Sequence, residues 1–210
     1  MNTRTLVLAS VMMMGVNASA TVNSDDASTA YSINTRTSKV YWTATKVGGS
    51  HSGTIAIAKG SINAKDNKVH SASITMDMKT IANTDLEDPG YKAKLEGHLK
   101  SEDFFSVKKF PEASFEVTEF VAIKGAKAGA DNYTITGKLT IKGITHSVSF
   151  PATVDINGNN LSTKGTLTFD RTKWDVKYKS GSFFEGLGDN LIYDDVKLKF
   201  ELNASKTVAE

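Results

Sequence analysis

The sequence predicts an all-β fold: one antiparallel barrel of about eight strands, with a single short helix near 89–100. Apolar and polar residues alternate with period two in segment after segment, as in strands that bury one face. Turn signals such as Gly48-Gly49, Asp66-Asn67 and Gly143 separate these segments. Long strands joined by short links favour a barrel, because closure removes the edges of the sheet. A sandwich of two sheets is the alternative.

The first twenty residues are predicted to be a secretory signal peptide. Arg4 is the only charged residue among the first 24, and an apolar stretch runs from Leu6 to Val16. Ala18-Ser19-Ala20 has the small-x-small pattern of a signal-peptidase site. The stretch is too short to span a bilayer, which takes about 20 apolar residues. We therefore expect cleavage after Ala20 and export to the periplasm.

The remaining chain is expected to form one domain. Residues 21–30 are small and polar, and we interpret them as a flexible lead-in. The barrel is expected over 31–203, followed by a C-terminal tail at 204–210. Neither a composition break nor an internal repeat indicates a second domain.

Each predicted strand places its apolar residues on one face. In chain order these faces are Val40, Trp42 and Ala44; Ile55 and Ile57; Ile74, Met76 and Met78; Phe115 and Val117; Tyr133, Ile135, Leu139 and Ile141; Val148, Phe150, Ala152, Val154 and Ile156; Leu167 and Phe169; and Val196, Leu198 and Phe200.

Two segments break the alternation. Asp88-Pro89 predicts an N-cap with proline in the first helical position, and Tyr91, Leu95 and Leu99 then fall on one helical face. Residues 171–190 carry four aromatic residues among three glycines. Both segments are expected to cover an end of the barrel.

The composition excludes several kinds of chemistry. The 210 residues contain no cysteine, so thiol catalysis, disulfides, iron–sulfur clusters and cysteine zinc sites are ruled out. The charge balance of 25 basic against 23 acidic residues provides no field for nucleic acid. The four histidines have no metal-ligand spacing, and no cofactor or metal is predicted. Gly49-Ser50-His51-Ser52-Gly53 has histidine where a nucleophile elbow has serine, so it indicates a turn.

Several segments together resemble the YceI-like family of secreted proteins. The most specific are Gly97–Phe105 (GHLKSEDFF) with Lys109–Phe115 (KFPEASF), and Thr136–Thr145 (TGKLTIKGIT). Tyr31 to Trp42 and the closing Asp194–Leu198 also fit. The resemblance implies a lipocalin-like eight-stranded barrel that binds a polyisoprenoid or related lipid in the periplasm, without enzymatic activity. It carries ligand contacts to the motif positions His98, Leu99, Phe104 and Phe105.

The candidate site is the apolar interior. Residues predicted to face a cavity are Trp42, Ile57, Met76, Met78, Phe115, Ile135, Leu139 and Phe169, and residues predicted to guard its mouth are Leu99, Phe104, Phe105, Trp174 and Phe184. His98 and Lys100 are the candidates for contact with a lipid head group. No catalytic residue is predicted, because the apolar faces carry no ionisable group.

The sequence therefore predicts a periplasmic binding or carrier protein for a long-chain apolar lipid, such as a polyisoprenoid or isoprenoid quinone. A stress-related structural barrel with a solid core is the alternative, and a lipid-modifying enzyme is a further one. The expected partners are an isoprenoid or fatty lipid and, transiently, the membrane surface during lipid exchange. A homodimer is left open.

Overall fold

The computed structural model describes residues 28–207. In chain order the elements are β1 (Thr29–Ile33), β2 (Lys39–Lys46), β3 (Gly49–Lys65), β4 (Lys68–Asn83), α1 (Pro89–Lys100), β5 (Glu112–Ala122), β6 (Tyr133–Ile141), β7 (Ile144–Asn157), β8 (Asn160–Asp170) and β9 (Ile192–Lys206). The predicted signal peptide, the start of the predicted lead-in and residues 208–210 lie outside the described residues.

The strands form a closed antiparallel barrel, which confirms the predicted fold class. From β4 to β9 each strand pairs with the next along the chain. Strand β9 then pairs with β2, β2 with β3, and β3 with β4, which closes the ring. Every backbone edge in this ring is therefore paired, as closure requires.

Nine strands fill eight positions because the first position is shared. Both β1 and β2 lie between β3 and β9 and run antiparallel to each of them. The chain leaves the sheet between them, where Asn34 Oδ1 accepts hydrogen bonds from the backbone N–H groups of Arg36 and Thr37. The sequence pattern did not predict β1. It begins at Thr29 and β9 runs to Lys206, so the barrel extends beyond both ends of the expected 31–203 domain.

The predicted turns occur where the chain needs a left-handed backbone. Asp66 and Asn67 have φ values of 51° and 56° between β3 and β4. Lys142 and Gly143, at 52° and 74°, connect β6 to β7. Because Asn, Asp and Gly tolerate this conformation, these short links join adjacent strands directly.

Helix α1 occupies the predicted residues and covers one end of the barrel. Asp88 Oδ1 accepts a hydrogen bond from the Tyr91 N–H at 2.8 Å, and Pro89 is the first helical residue. Of the predicted apolar stripe only Leu99 is buried, and Tyr91 is 69% exposed. The helix therefore contacts the barrel through its C-terminal half.

The core lies inside the barrel and continues under this helical end. It includes inward residues from every strand position, together with Leu99, Phe104, Val107, Trp174 and Val176 from the connecting segments. Among residues 28–207, no helix has the length and apolar character needed to cross a membrane.

Candidate functional site

Two apolar cavities lie inside the barrel. We call the one beside α1 the proximal cavity and the other the distal cavity. Their volumes are about 70 Å³ and about 80 Å³, respectively. The exposed wall of each cavity is entirely apolar. An apolar wall of this kind favours hydrocarbon. One polar group in the lining of the distal cavity, the Thr163 hydroxyl, is buried without a hydrogen-bond partner.

The inward face of each strand supplies the walls. In β8 the alternate residues Leu161, Thr163 and Leu167 border the distal cavity, and Phe169 borders the proximal one. In β2, Val40 borders the distal cavity and Trp42 the proximal one. The cavities are thus arranged along the barrel axis.

The structure places eleven of the thirteen predicted ligand-contacting residues on a cavity wall. Those on the proximal wall are Trp42, Met76, Met78, Leu99, Phe104, Phe105, Leu139, Phe169 and Trp174, and those on the distal wall are Met76, Phe115, Ile135 and Leu139. Whether they contact a lipid stays a prediction.

The other two predicted residues require correction. Ile57 is buried but borders neither cavity; it lies at an irregularity in the β3–β4 register, opposite Met76. Phe184 was expected to guard the mouth, but its side chain is 51% exposed and it too borders neither cavity. The backbone N–H groups of both Phe183 and Phe184 donate to Ser180 O. These hydrogen bonds form a turn in which both side chains are exposed to solvent.

Trp174 closes the proximal cavity. It lies in a short 3-10 helix, Arg171–Trp174, directly after β8, and is only 1% exposed. Its indole Nε1 donates to the Leu139 carbonyl oxygen at 3.1 Å. The rings of Phe169 and His146 pack edge-on against it, with centroid distances of 5.1 and 5.0 Å. These contacts hold an aromatic side chain across the end of the barrel.

Arg171 is a buried cation that the sequence analysis missed. It borders the proximal cavity, although the exposed wall there is apolar, because its guanidinium donates to the protein instead. Its Nη1 donates to Val176 O at 2.6 Å, its Nε to Tyr193 O and its Nη2 to Ile192 O and Asp194 Oδ1. Burial lowers the pKa of Arg171, and the nearby carboxylates of Asp194 and Asp170 oppose this effect. It remains charged at neutral pH.

These hydrogen bonds tie the two ends of one segment together. We call residues 175–191 the covering segment, because it connects Trp174 to β9. Val176 stands near its start and Ile192 directly after its end, and both carbonyl oxygens accept from Arg171. Ser182 in the middle of the segment donates to Asp194 Oδ2 at 2.7 Å. Arg171 and Asp194 therefore fix the covering segment over the proximal cavity.

The head-group candidates lie at the rim. His98 Nε2 is 2.8 Å from Asp103 Oδ2, and its ring packs edge-on against Phe104 and against Tyr178 of the covering segment. Lys100 is half-buried at the end of α1. Neither borders a cavity, so the structure does not bring them into contact with the interior. His98 instead links α1 to the covering segment.

A polar network joins the end of β4 to β3 and to the C-terminal half of α1. Asn83 is fully buried; its N–H donates to Glu96 Oε1 and its Nδ2 to Ser52 O and Asp85 Oδ1. Burial raises the pKa of the Asp85 carboxyl, but hydrogen bonds from the Ser52 N–H, His51 and Asn83 outweigh it. The pKa of Asp85 therefore lies below its usual 3.8. His51 contributes to this network from β3, where it pairs with Ala44, so the turn predicted at 49–53 is wrong: the turn lies at 47–48.

Many wall residues were not named as site residues from sequence, although their signal was present. Phe150, Val154, Leu198 and Phe200 belong to the predicted apolar faces and border the distal cavity. Arg171 follows Leu167 and Phe169 at the same spacing of two residues, so it also lies at an inward position. Counting every residue of the predicted faces as a candidate would have found the four apolar residues, whereas the charge of Arg171 argues against an inward position until its partners are known.

A closed antiparallel barrel of eight strand positions, with an apolar interior, is an architecture that can hold one small apolar ligand. The chain belongs to the YceI-like family, because the family model of the YceI-like domain matches residues 31–204. The resemblance predicted from sequence is confirmed.

Relatives and solved structures agree with this assignment. A UPF0312 protein of Yersinia enterocolitica is 34% identical over 83 residues, which is 40% of each chain. The structure of Burkholderia cenocepacia BcnA superposes with a TM-score of 0.62 at 27% identity, covering 82% of this chain and 99% of BcnA. A polyisoprenoid-binding domain of Saccharophagus degradans gives a TM-score of 0.60 at 13% identity over 84% of this chain and 98% of that domain, which shows a shared fold.

Proposed function

We propose that this protein is a periplasmic carrier that holds a long-chain apolar lipid, a polyisoprenoid or an isoprenoid quinone, inside its barrel. The observation that carries the proposal is the pair of axially arranged cavities whose exposed wall surface is apolar. The solved structure described as a polyisoprenoid-binding domain shares the barrel and supports the same class of ligand.

The energetics place the affinity in the tail. Burying one five-carbon isoprene unit contributes roughly 4 kcal/mol before the cost of ordering the ligand. A contact between an exposed lysine and a phosphate contributes about 1 kcal/mol or less. His98 and Lys100 at the rim would then tune the choice of head group, while the interior provides most of the binding free energy.

Binding, rather than catalysis, is the role that the walls support. Acid–base chemistry needs a titratable group within hydrogen-bond reach of the substrate. The single charged side chain that borders either cavity in the described chain is Arg171, and its guanidinium is held by backbone carbonyls and Asp194. We therefore propose a binding protein and not a lipid-modifying enzyme.

Lipid exchange is proposed to occur at the membrane surface through the covering segment. Phe183 and Phe184 are both 51% exposed, and the Lys177 ammonium lies 4.8 Å from the centroid of the Phe183 ring. Exposed aromatic rings beside lysines suit the interface of a bilayer with anionic head groups. This end of the barrel is also the end that Trp174 closes, so contact here would bring the membrane to the proximal cavity.

Native mass spectrometry of freshly purified protein tests the carrier function directly. We expect a bound lipid whose mass matches an isoprenoid found in the organic extract of the same sample. Protein that is purified without detergent and carries no lipid would favour the solid-core barrel.

A charge inside the barrel provides the matched test. Met76→Lys places an ammonium in an apolar wall without a partner, so lipid binding should be lost and the fold weakened. Met76→Leu keeps volume and apolarity, and it should retain both lipid and stability within about 1.5 kcal/mol. A folded Met76→Lys protein that still co-purifies with lipid would contradict the proposed site.

A further inference from the structure

The two cavities meet at three residues. Met76 of β4, Leu139 of β6 and Leu198 of β9 border both cavities. We call these three side chains the waist. We propose that the waist divides the interior into two ligand chambers and sets the length of the lipid tail that the protein selects, with Met76 as the movable side chain. This inference rests on the proposed carrier function.

The position of the waist follows from three independent strands. On β4, Ile74 borders the distal cavity and Met78 the proximal one, with Met76 between them. On β6, Ile135 is distal and Ile141 proximal, and Leu139 lies between them.

Strand β9 repeats this order. Phe200 is distal, Val196 is proximal, and Leu198 lies between them. Because the three strands occupy separate positions around the barrel, the waist is a constriction across the axis rather than a local contact.

Met76 can move, and its surroundings allow it. Methionine is unbranched and has three rotatable side-chain bonds, so it adapts to irregular space. Its neighbour on β5 is Ala113, whose short side chain leaves room on the inner face. On the other side β3 departs from regular register between Ile57 and Lys59. Leu139 is more restrained, since its side chain is branched and is 2% exposed.

The waist determines how much tail can be buried. The inner face of β6 from Ile135 to Ile141 spans about 20 Å at roughly 3.3 Å per residue. With a strand tilt of about 40°, this is an axial depth of about 15 Å. A tail that enters beside α1 fills the proximal cavity first, and it reaches the distal cavity only when Met76 turns aside. Tails too short to pass the waist gain nothing from the distal walls.

Narrowing the waist tests this inference. The probes are isoprenoid alcohols of increasing length, starting from those of one and two isoprene units, prenol and geraniol. Binding is followed by intrinsic fluorescence, because both tryptophans of the chain, Trp42 and Trp174, border the proximal cavity. With Met76→Phe we expect the longest alcohols to lose at least about tenfold more affinity than the shortest one, relative to the wild type.

Two further variants make the result specific. Leu198→Phe narrows the waist from another strand and should give the same length profile; it decides the matter if Met76→Phe does not fold. Met78→Phe adds the same ring two residues along β4 but borders only the proximal cavity. It should weaken short and long alcohols alike.

The possible failures are distinguishable. If the wild type binds no isoprenoid alcohol, the carrier function itself is wrong. If the wild type binds but the waist variants and Met78→Phe change affinity equally at every length, the carrier stands and the waist inference is overturned.

Discussion

Arg171 shows how one side chain can organise the end of a barrel. Its guanidinium reaches backbone carbonyls at both ends of the covering segment as well as Asp194. A buried cation is tolerated only when it is paired and hydrogen-bonded, and this one is both. Its contribution is therefore to position the covering segment, together with the Lys142–Asp175 contact and the packing of Tyr178 on His98.

Removing this cation should loosen the covering segment. In Arg171→Met the carbonyls of Val176 and Ile192 lose their donors while the apolar stem remains. We expect a loss of about 3 kcal/mol in the free energy of unfolding, and faster amide hydrogen exchange over 175–191. Lys173→Met, an exposed change in the same 3-10 turn, should stay within about 0.5 kcal/mol. Unchanged exchange in Arg171→Met would show that the covering segment is held by other contacts.

Asp85 gives the protein a specific response to acid. Its pKa is lowered in the folded state, so the carboxylate stabilises the fold above the unfolded value of 3.8, and this contribution is lost as the pH falls below it. Asp85→Asn keeps the shape but cannot ionise, and its stability should depend less on pH in this acidic window. Urea unfolding between pH 5 and about 2.5 measures the difference. Glu87→Gln in the same loop is the control and should follow the wild type.

At the scale of the element, glycines on two strands make room for aromatic rings that lie against them. A Cβ on Gly137 of β6 would meet the Phe115 ring and the Glu116 carbonyl oxygen of β5. A Cβ on Gly53 of β3 would meet the Ala82 carbonyl oxygen and the Trp42 ring. Both rings border a cavity, so these glycines allow wall residues to lie flat against the neighbouring strand.

Gly137→Ala should therefore destabilise the barrel by overpacking. The added methyl group must displace Phe115 or the β5 backbone, which costs about 1–3 kcal/mol. Gly97→Ala is the matched control, because nothing lies within 4 Å of its Cβ position on α1. That change should instead stabilise the helix by about 0.5–1 kcal/mol. Thermal denaturation of the two variants shows whether the effects have opposite signs.

The covering segment makes a separate prediction about lipid exchange. Replacing Phe183 and Phe184 together by serine should slow lipid transfer to vesicles that contain anionic lipid by at least about tenfold, since two apolar contacts are lost. Equilibrium binding of a lipid without vesicles should not change, because neither residue borders a cavity. Val121→Ser is the control, because it removes an exposed apolar side chain from the end of β5 that lies beside the distal cavity, away from the covering segment. Equal transfer rates for all three proteins would refute membrane contact through this segment.

For the whole molecule, the fold was predictable because a single period controls most of the chain. Alternation assigned an inward phase to each strand, and that phase placed residues such as Met76 and Leu139 on a cavity wall. Alternation gives no information outside the strands. Phe184 lies in an irregular segment, so the direction of its side chain depends on local hydrogen bonds. Arg171 was missed because a charge at an inward position contradicts the pattern until its carbonyl partners are known. The waist is formed by residues on three strands that are distant in sequence. Alternation shows which face a residue lies on, but not how far along the barrel axis it lies.

The shared first position of the barrel has a consequence for the topology of the chain. Tyr31 of β1 pairs with Lys206 of β9, so the first and last strands of the described chain are neighbours. The backbone path is thus nearly circular, and a short linker from 206 to 29 could connect it while new ends are opened in the exposed turn at 124–130 between β5 and β6. Such a circular permutant should keep the barrel, because no strand pairing is cut. It should also fold at a different rate. In the permutant the β1–β9 pairing joins segments that are adjacent in the chain, whereas the β5–β6 pairing joins the two new ends and becomes the contact of greatest sequence separation.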